Sequence, residues 1–160
     1  MPLEYTFTPL TRSDYPMLRK WLSEPHIAGW WRDPDEEIAL MEEDLVSGPT
    51  DMRIVQYDNQ PFAYIQDYPA HHWPAPQYAG YPKATRAIDT FLGDPDYLGK
   101  GHAAGYLRQR AHELIAAGAP FVVVDPSPEN KTAIGAYRKA GFEGDQVLPC
   151  EDGDLTLIMD

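Results

Sequence analysis

Residues 97–107 read YLGKGHAAGYL: two glycines flank a lysine, small residues follow, and a helix-forming run begins. Glycine lets a backbone approach a ligand closely. The first N–H groups of a helix lack intrahelical partners and sit at the positive end of its dipole. The stretch is therefore either an anion cradle or a glycine-rich start to a helix that holds nothing. A Walker phosphate loop is excluded, because Gly101 follows Lys100 and no Ser or Thr stands ready for Mg²⁺. A dinucleotide fingerprint is partly matched by Gly99, Gly101 and Ala104, with Asp125 closing the next apolar run. Two features count against it. The turn Gly93–Asp96 parts the loop from the preceding strand, and the chain after Ala104 is too short for a doubly wound sheet. The remaining candidate is a pyrophosphate, such as coenzyme A carries, held by consecutive amides at the helix start.

Outward from the loop, RAIDTFL (86–92) reads as the strand before it, and the helix it opens runs to about Ala117, ended by Gly118. PFVVVD (120–125) is a nearly continuous apolar run, as in a buried strand. Pro128 and Glu129 lead into a last helix, NKTAIGAYRKA, closed by Gly141, and short strands are expected around 142–148 and 154–159. In the N-terminal half, LEYTFT (3–8) alternates as a first strand. Ser13 is placed as the N-cap of a helix carrying Tyr15, Leu18, Trp21 and Leu22 and ending near Pro25. A second helix is expected over Asp35–Val46, with Ile38, Met41 and Leu45 inward, and residues 52–57 and 61–67 form a hairpin around Asp58-Asn59-Gln60. Residues 69–85 hold four prolines, three aromatics, two histidines and no acid, an irregular loop long enough to have a binding role. No repeat or linker divides the chain, so one domain is expected over 1–160.

With 160 residues, 43% of them hydrophobic, the chain can bury a full core. No apolar run approaches a membrane span, MPLEYTFTPL lacks the pattern of a signal sequence, and Cys150 is the single cysteine, which together point to the cytoplasm. The histidines show no zinc-ligand spacing, so no metal is expected. Thirteen basic against 25 acidic residues give a net charge of −12, which disfavours nucleic acid and anionic membranes as partners and attracts cations. Seven of the acids lie between Asp33 and Asp44. They form a solvated helix face or a field that gathers a polycation, and composition does not choose between the two.

The order strand, LGKGHA loop, long helix, buried strand and DPSPENKTAIGAYRKAGF (125–142) resembles the GNAT superfamily of acyl-CoA N-acetyltransferases. That superfamily's loop signature is Gln/Arg-x-x-Gly-x-Gly/Ala; Gly101 and Ala103 match its small positions, and Leu98 stands at the polar one. Tyr137, Gly141 and Phe142 match its Tyr-x-x-x-Gly-Phe. WLSEPHIAGWW (21–31), AIDTFL (87–92), LGKG (98–101) and the 125–142 block resemble the aminoglycoside 6'-N-acetyltransferases within it. Siderophore-pathway lysine acyltransferases share the His-x-x-x-Trp-Trp-like stretch. The resemblance implies an α/β (α+β) GNAT fold. Its features are a mixed central sheet of about six to seven strands, a V-shaped splay between the fourth and fifth, and about four helices. It also implies direct transfer of acetyl from acetyl-CoA to a primary amine of a polycationic aminoglycoside, in a ternary complex and as an antibiotic-resistance activity, by a monomer or weak homodimer. The alternatives are a GNAT acyltransferase acting on a lysine-like or siderophore-precursor amine, and a non-catalytic acyl-CoA-binding module.

The resemblance assigns roles residue by residue. Backbone at Phe91 and Leu92 would polarise the thioester carbonyl. Leu98, Gly99, Lys100, Gly101, His102, Ala103 and Ala104 would hold the pyrophosphate, with Asn130 and Ala133 lining the pantetheine arm. Tyr137 is implied as the acid that protonates the thiolate and Asp89 as the base near the acceptor amine. Trp30, Trp31, Gln66, Tyr68, Asp89 and Asp125 would face the acceptor. Bland readings stand beside these: Tyr137 as a core residue, Asp89 as a partner of Arg86, Asp125 as the N-cap of the last helix, and one of the two tryptophans as core packing.

Overall fold

Asp58 and Asn59 both take left-handed backbone, with φ of 52° and 63°. This is the geometry of a two-residue hairpin turn whose twist suits the strands on either side. In this computed structural model, which describes residues 4–160, the turn joins β2 (Asp51–Tyr57) to β3 (Gln60–Pro69). β1 (Thr6–Pro9) adds antiparallel to β2, with Phe7 opposite Val55. β4 (Arg86–Leu92) and β5 (Val122–Val123) complete a five-stranded sheet of order β1-β2-β3-β4-β5. The β4–β5 pair is parallel, Arg86 facing Val122 and Ala87 facing Val123. Four α-helices accompany the strands: α1 (Tyr15–Leu22), α2 (Pro34–Ser47), α3 (His102–Ala116) and α4 (Lys131–Ala140). β6 (Gln146–Pro149) and β7 (Leu155–Ile158) form a separate antiparallel pair.

The described chain divides into two compact units. One comprises Tyr5–Asp67 with Asp89–Lys100. Its core joins Leu18, Trp21 and Leu22 of α1, Ile38 and Met41 of α2, Met52 and Ile54 of β2, and Tyr64 and Phe91. The other holds Tyr68–Ile88 with Gly101–Asp160, and buries Ala70, Tyr78, Ala87, Val123 and Ile158 together. Within it α3 lies against α4, burying Tyr106, Leu107 and Leu114 on one and Ile134, Tyr137 and Ala140 on the other.

Four expectations change. Among the described residues the seven strands fall into sheets of five and two rather than one sheet of six or seven. The strand expected over 120–125 pairs with β4 only at Val122–Val123, and at the next residue the Val124 N–H and carbonyl turn to Met159, at 2.9 and 3.0 Å. β7 reaches it through the single bridge Val124–Met159 and the Leu157 N–H to the Pro126 carbonyl, at 2.8 Å. The first strand is Thr6–Pro9, and the Leu3 end of the expected 3–8 strand lies outside the described residues. Ser13 does not cap α1. A single 3-10 turn, Arg12–Asp14, precedes the helix; Thr11 N–H donates to Asp14 Oδ2 at 2.9 Å, and the Ser13 hydroxyl meets that of Thr11 at 2.6 Å.

The end of β4 is held closely. Gly93 and Asp94 N–H both donate to the Phe62 carbonyl, at 2.8 and 3.0 Å, and a Cβ placed on Gly93 would lie 2.2 Å from the Trp21 ring. Gly93→Ala should therefore lower stability by about 1–3 kcal/mol through overpacking, read as a shift of the urea midpoint. An unshifted midpoint would show that Trp21 moves aside without cost.

Candidate active site

β strands send alternate side chains to one face, so Tyr64 and Gln66 share a face of β3. There they form a directed chain. Tyr64 Oη donates to Gln66 Oε1 at 2.6 Å, and Gln66 Nε2 donates to Asp89 Oδ2 at 3.1 Å. Burial, with the charge of Asp89 second, pushes the Tyr64 phenol well above its ordinary value, so it remains a donor. Thr90 Oγ1 donates to the Tyr64 carbonyl at 2.7 Å, and the Phe91 ring stacks on Tyr64 at 5.2 Å. The structure thus brings Asp89 to Gln66, which holds one carboxylate oxygen through a neutral amide.

The two tryptophans separate. Trp31 stands edge-on to Phe91, at 5.0 Å, and to Tyr64, at 6.4 Å, whereas Trp30 is 49% exposed. The core-packing role therefore falls to Trp31, though one side of it stays partly open. His26, four residues before Trp30, reaches the end of β4: its Nε2 lies 2.8 Å from the Leu92 carbonyl. A carbonyl only accepts, so the ring donates from Nε2. Sequence reasoning had not singled out Tyr64 or His26. The signals were the two-residue spacing of Tyr64 and Gln66 in YIQ and the position of His26 within HIAGWW.

In the glycine loop, Gly99 and Gly101 have φ of +73° and +81°. A Cβ at either would meet nothing within 4 Å, so backbone conformation rather than crowding calls for glycine. Leu98, Gly99, Lys100 and Gly101 are exposed, and His102, Ala103 and Ala104 are half-buried. α3 starts at His102 with no capping side chain and no acid in its first turn, which suits a phosphate-bearing ligand at its N-terminus. On α4, Asn130 is the N-cap, its Oδ1 accepting from Ala133 N–H at 3.2 Å, so these two residues are committed to each other. Tyr137 is buried with Phe142 edge-on at 5.9 Å. Gly141, at φ +109°, turns the chain so that Phe142 N–H donates to the Tyr137 carbonyl at 3.0 Å. The Tyr-x-x-x-Gly-Phe spacing is thus a helix-ending motif that also positions the tyrosine.

Asp125 is no helix cap. Its Oδ2 accepts from Gln77 Nε2 at 3.0 Å; Gln77 lies on the 3-10 turn Pro76–Tyr78, within the 69–85 stretch. In the same stretch Tyr68 meets Trp73 edge-on at 5.5 Å. Gln77 and Tyr78 escaped the sequence reading because nothing local marks a polar residue in an irregular turn as buried. Burial lifts the Asp125 carboxyl above its ordinary value, against the opposing hydrogen bonds of Gln77 and Tyr78.

The acids between Asp33 and Asp44 have local work. Asp33 caps α2 through Asp35 N–H, Asp35 pairs with Arg19, buried Glu37 accepts from Arg32 N–H, and Glu42 binds Arg12 and Tyr15. Acids in the first turn also suit the helix dipole. The cluster is therefore in part a structural feature of α2.

A raised folded-state pKa means that the Asp125 charge opposes folding: stability is full below the unfolded value of 3.8 and is lost as pH rises through Asp125's own value. Asp125→Asn should accordingly be more stable than wild type at pH 7, and the difference should vanish below pH 3.8. Equal melting temperatures at both pH values would contradict the burial argument.

Among the described residues no group of His, Cys, Asp and Glu could hold a metal ion, and no helix is long and apolar enough to cross a membrane. The family "Acetyltransferase (GNAT) domain" matches residues 11–148. An aminoglycoside N(6')-acetyltransferase type 1 of Klebsiella pneumoniae is 30% identical over 94% of this chain and 79% of its own length. A crystal structure of the aminoglycoside acetyltransferase AAC(6')-Ib with coenzyme A and kanamycin has a TM-score of 0.80 and 27% identity, covering 98% of this chain and 94% of that one. An uncharacterised protein from Bacillus halodurans, at 20% identity and a TM-score of 0.84 over 97% of this chain and 82% of its own, shares the fold. The chain belongs to the GNAT acetyltransferases: it has the GNAT fold and is an acetyl-CoA-dependent N-acetyltransferase.

Proposed function

We propose that this protein is a single GNAT domain over residues 1–160 that acetylates the 6'-amine of an aminoglycoside, and so confers resistance to it. The observation that carries the reading is the Tyr64–Gln66–Asp89 chain, in which a neutral amide donor orients a carboxylate on β4. The relatives named as aminoglycoside N(6')-acetyltransferases and the net charge of −12 support a polycationic acceptor.

In this reading Asp89 accepts the proton that the acceptor amine loses as its nitrogen bonds to the acetyl carbon. Asp125, Gln66, Tyr68, Trp30 and Trp31 hold the acceptor, the tryptophan faces serving both sugar rings and ammonium groups. Backbone at Phe91 and Leu92 polarises the thioester carbonyl. Leu98 to Ala104 hold the pyrophosphate, with Asn130 and Ala133 beside the pantetheine arm. As the C–S bond breaks, Tyr137 gives its proton to the sulfur. A second reading, acylation of a lysine-like amine, is favoured by one observation: the 69–85 stretch contains no acid.

Free-thiol release from acetyl-CoA separates the readings. Kanamycin and tobramycin should drive release and N-hydroxylysine should not; the opposite pattern would replace the first reading with the second, and no release with any acceptor would leave a binding module. Tyr137→Phe should lower kcat on kanamycin roughly 10²-fold. Unchanged turnover across pH would remove Tyr137 as the acid.

A further inference from the structure

Gln77 is nine-tenths buried, and its planar amide is only half used. Its Nε2 donates to Asp125 Oδ2 at 3.0 Å, while its Oε1 is buried without a hydrogen-bond partner. An unmet buried acceptor is costly, and native structures keep few of them. Such an oxygen needs an N–H or O–H donor. The geometry points to Gln77 as an acceptor-binding residue: its Oε1 takes a hydrogen bond from an ammonium or hydroxyl of the acceptor held at Asp125, while its Nε2 orients that carboxylate.

The chemistry of an ammonium fits this pairing. It carries three donors and no acceptor, so a carboxylate next to an amide oxygen satisfies more of it than a carboxylate alone. A cation at Gln77 would repel the ammonium, and an apolar residue would leave Asp125 without its donor. The backbone keeps the amide in place: Gln77 sits on a 3-10 turn in which Tyr78 N–H donates to the Ala75 carbonyl at 2.9 Å, and Tyr78 is buried in the core with Ala87 and Val123. Gln77 is therefore fixed by packing before any acceptor arrives, which limits the entropy lost on binding. The inference rests on the reading of Asp125 as a carboxylate that holds the acceptor.

The test compares Gln77→Met, which keeps the volume but has no amide, with Asp125→Asn and wild type, all with kanamycin and acetyl-CoA. Gln77→Met should raise the kanamycin KM roughly tenfold, as expected for a lost hydrogen bond to a charged group, and leave the acetyl-CoA KM unchanged. An unchanged kanamycin KM in Gln77→Met alongside a raised one in Asp125→Asn would overturn the role of Gln77 and keep that of Asp125. Unchanged values in both would overturn the Asp125 reading itself. Equal increases in both KM values would show a structural role and overturn the inference. A measurement on wild type needs no variant: the side-chain amide ¹⁵N–¹H signals of Gln77 should shift on adding kanamycin and stay in place on adding coenzyme A. No shift with kanamycin would contradict the proposal.

Discussion

The hydrogen bond from Gln66 Nε2 to Asp89 Oδ2, at 3.1 Å, is the contact on which the proposed chemistry depends. A carboxylate that is to take a proton has to be aimed without being neutralised. An amide supplies direction and little charge. Behind Gln66 stands Tyr64, fully buried and kept protonated, whose hydroxyl settles which end of the glutamine amide faces Asp89. The chain that follows Asp89 is fastened to β3, by Thr90 to the Tyr64 carbonyl and by Gly93 and Asp94 to the Phe62 carbonyl.

The same device recurs at Asp125, again held by a glutamine amide. Asp35, Glu37, Glu42 and Asp51 each pair with an arginine, and the two carboxylates proposed to meet a cationic acceptor each accept a hydrogen bond from a glutamine amide. The cost of the arrangement is visible at Asp125, where burial opposes the charge that function requires.

Much of this was legible in the residues, for physical reasons that differ from place to place. Glycines at 99, 101, 118 and 141 announced loops and helix ends because their left-handed φ is one that other residues avoid. The faces of α1 and α2 followed from apolar spacing, and Leu18, Trp21, Ile38 and Met41 are buried as that spacing requires. The short pairing of β5 and the separate β6–β7 sheet were hidden, because an apolar run shows that a strand is buried and says little about how far its ladder extends. Gln77 was hidden for a related reason. It lies 48 residues from Asp125, and a single sequence carries no trace of a polar contact made across that distance.

The charge of the chain also reads differently once its acids are placed. A run of seven acids looked like one feature, yet Asp33, Asp35, Glu37 and Glu42 are each engaged locally, so the run by itself is a weak argument for a cationic ligand. The proposed counterpart of the acceptor amine is Asp89, which Gln66 orients. The most direct test is kcat/KM for kanamycin in Asp89→Asn, measured from neutral to alkaline pH. Loss of a general base predicts a deficit of about 10²-fold or more at pH 7 that narrows as pH rises and the acceptor amine deprotonates unaided. Wild-type activity at pH 7, or a deficit constant across the range, would contradict the account.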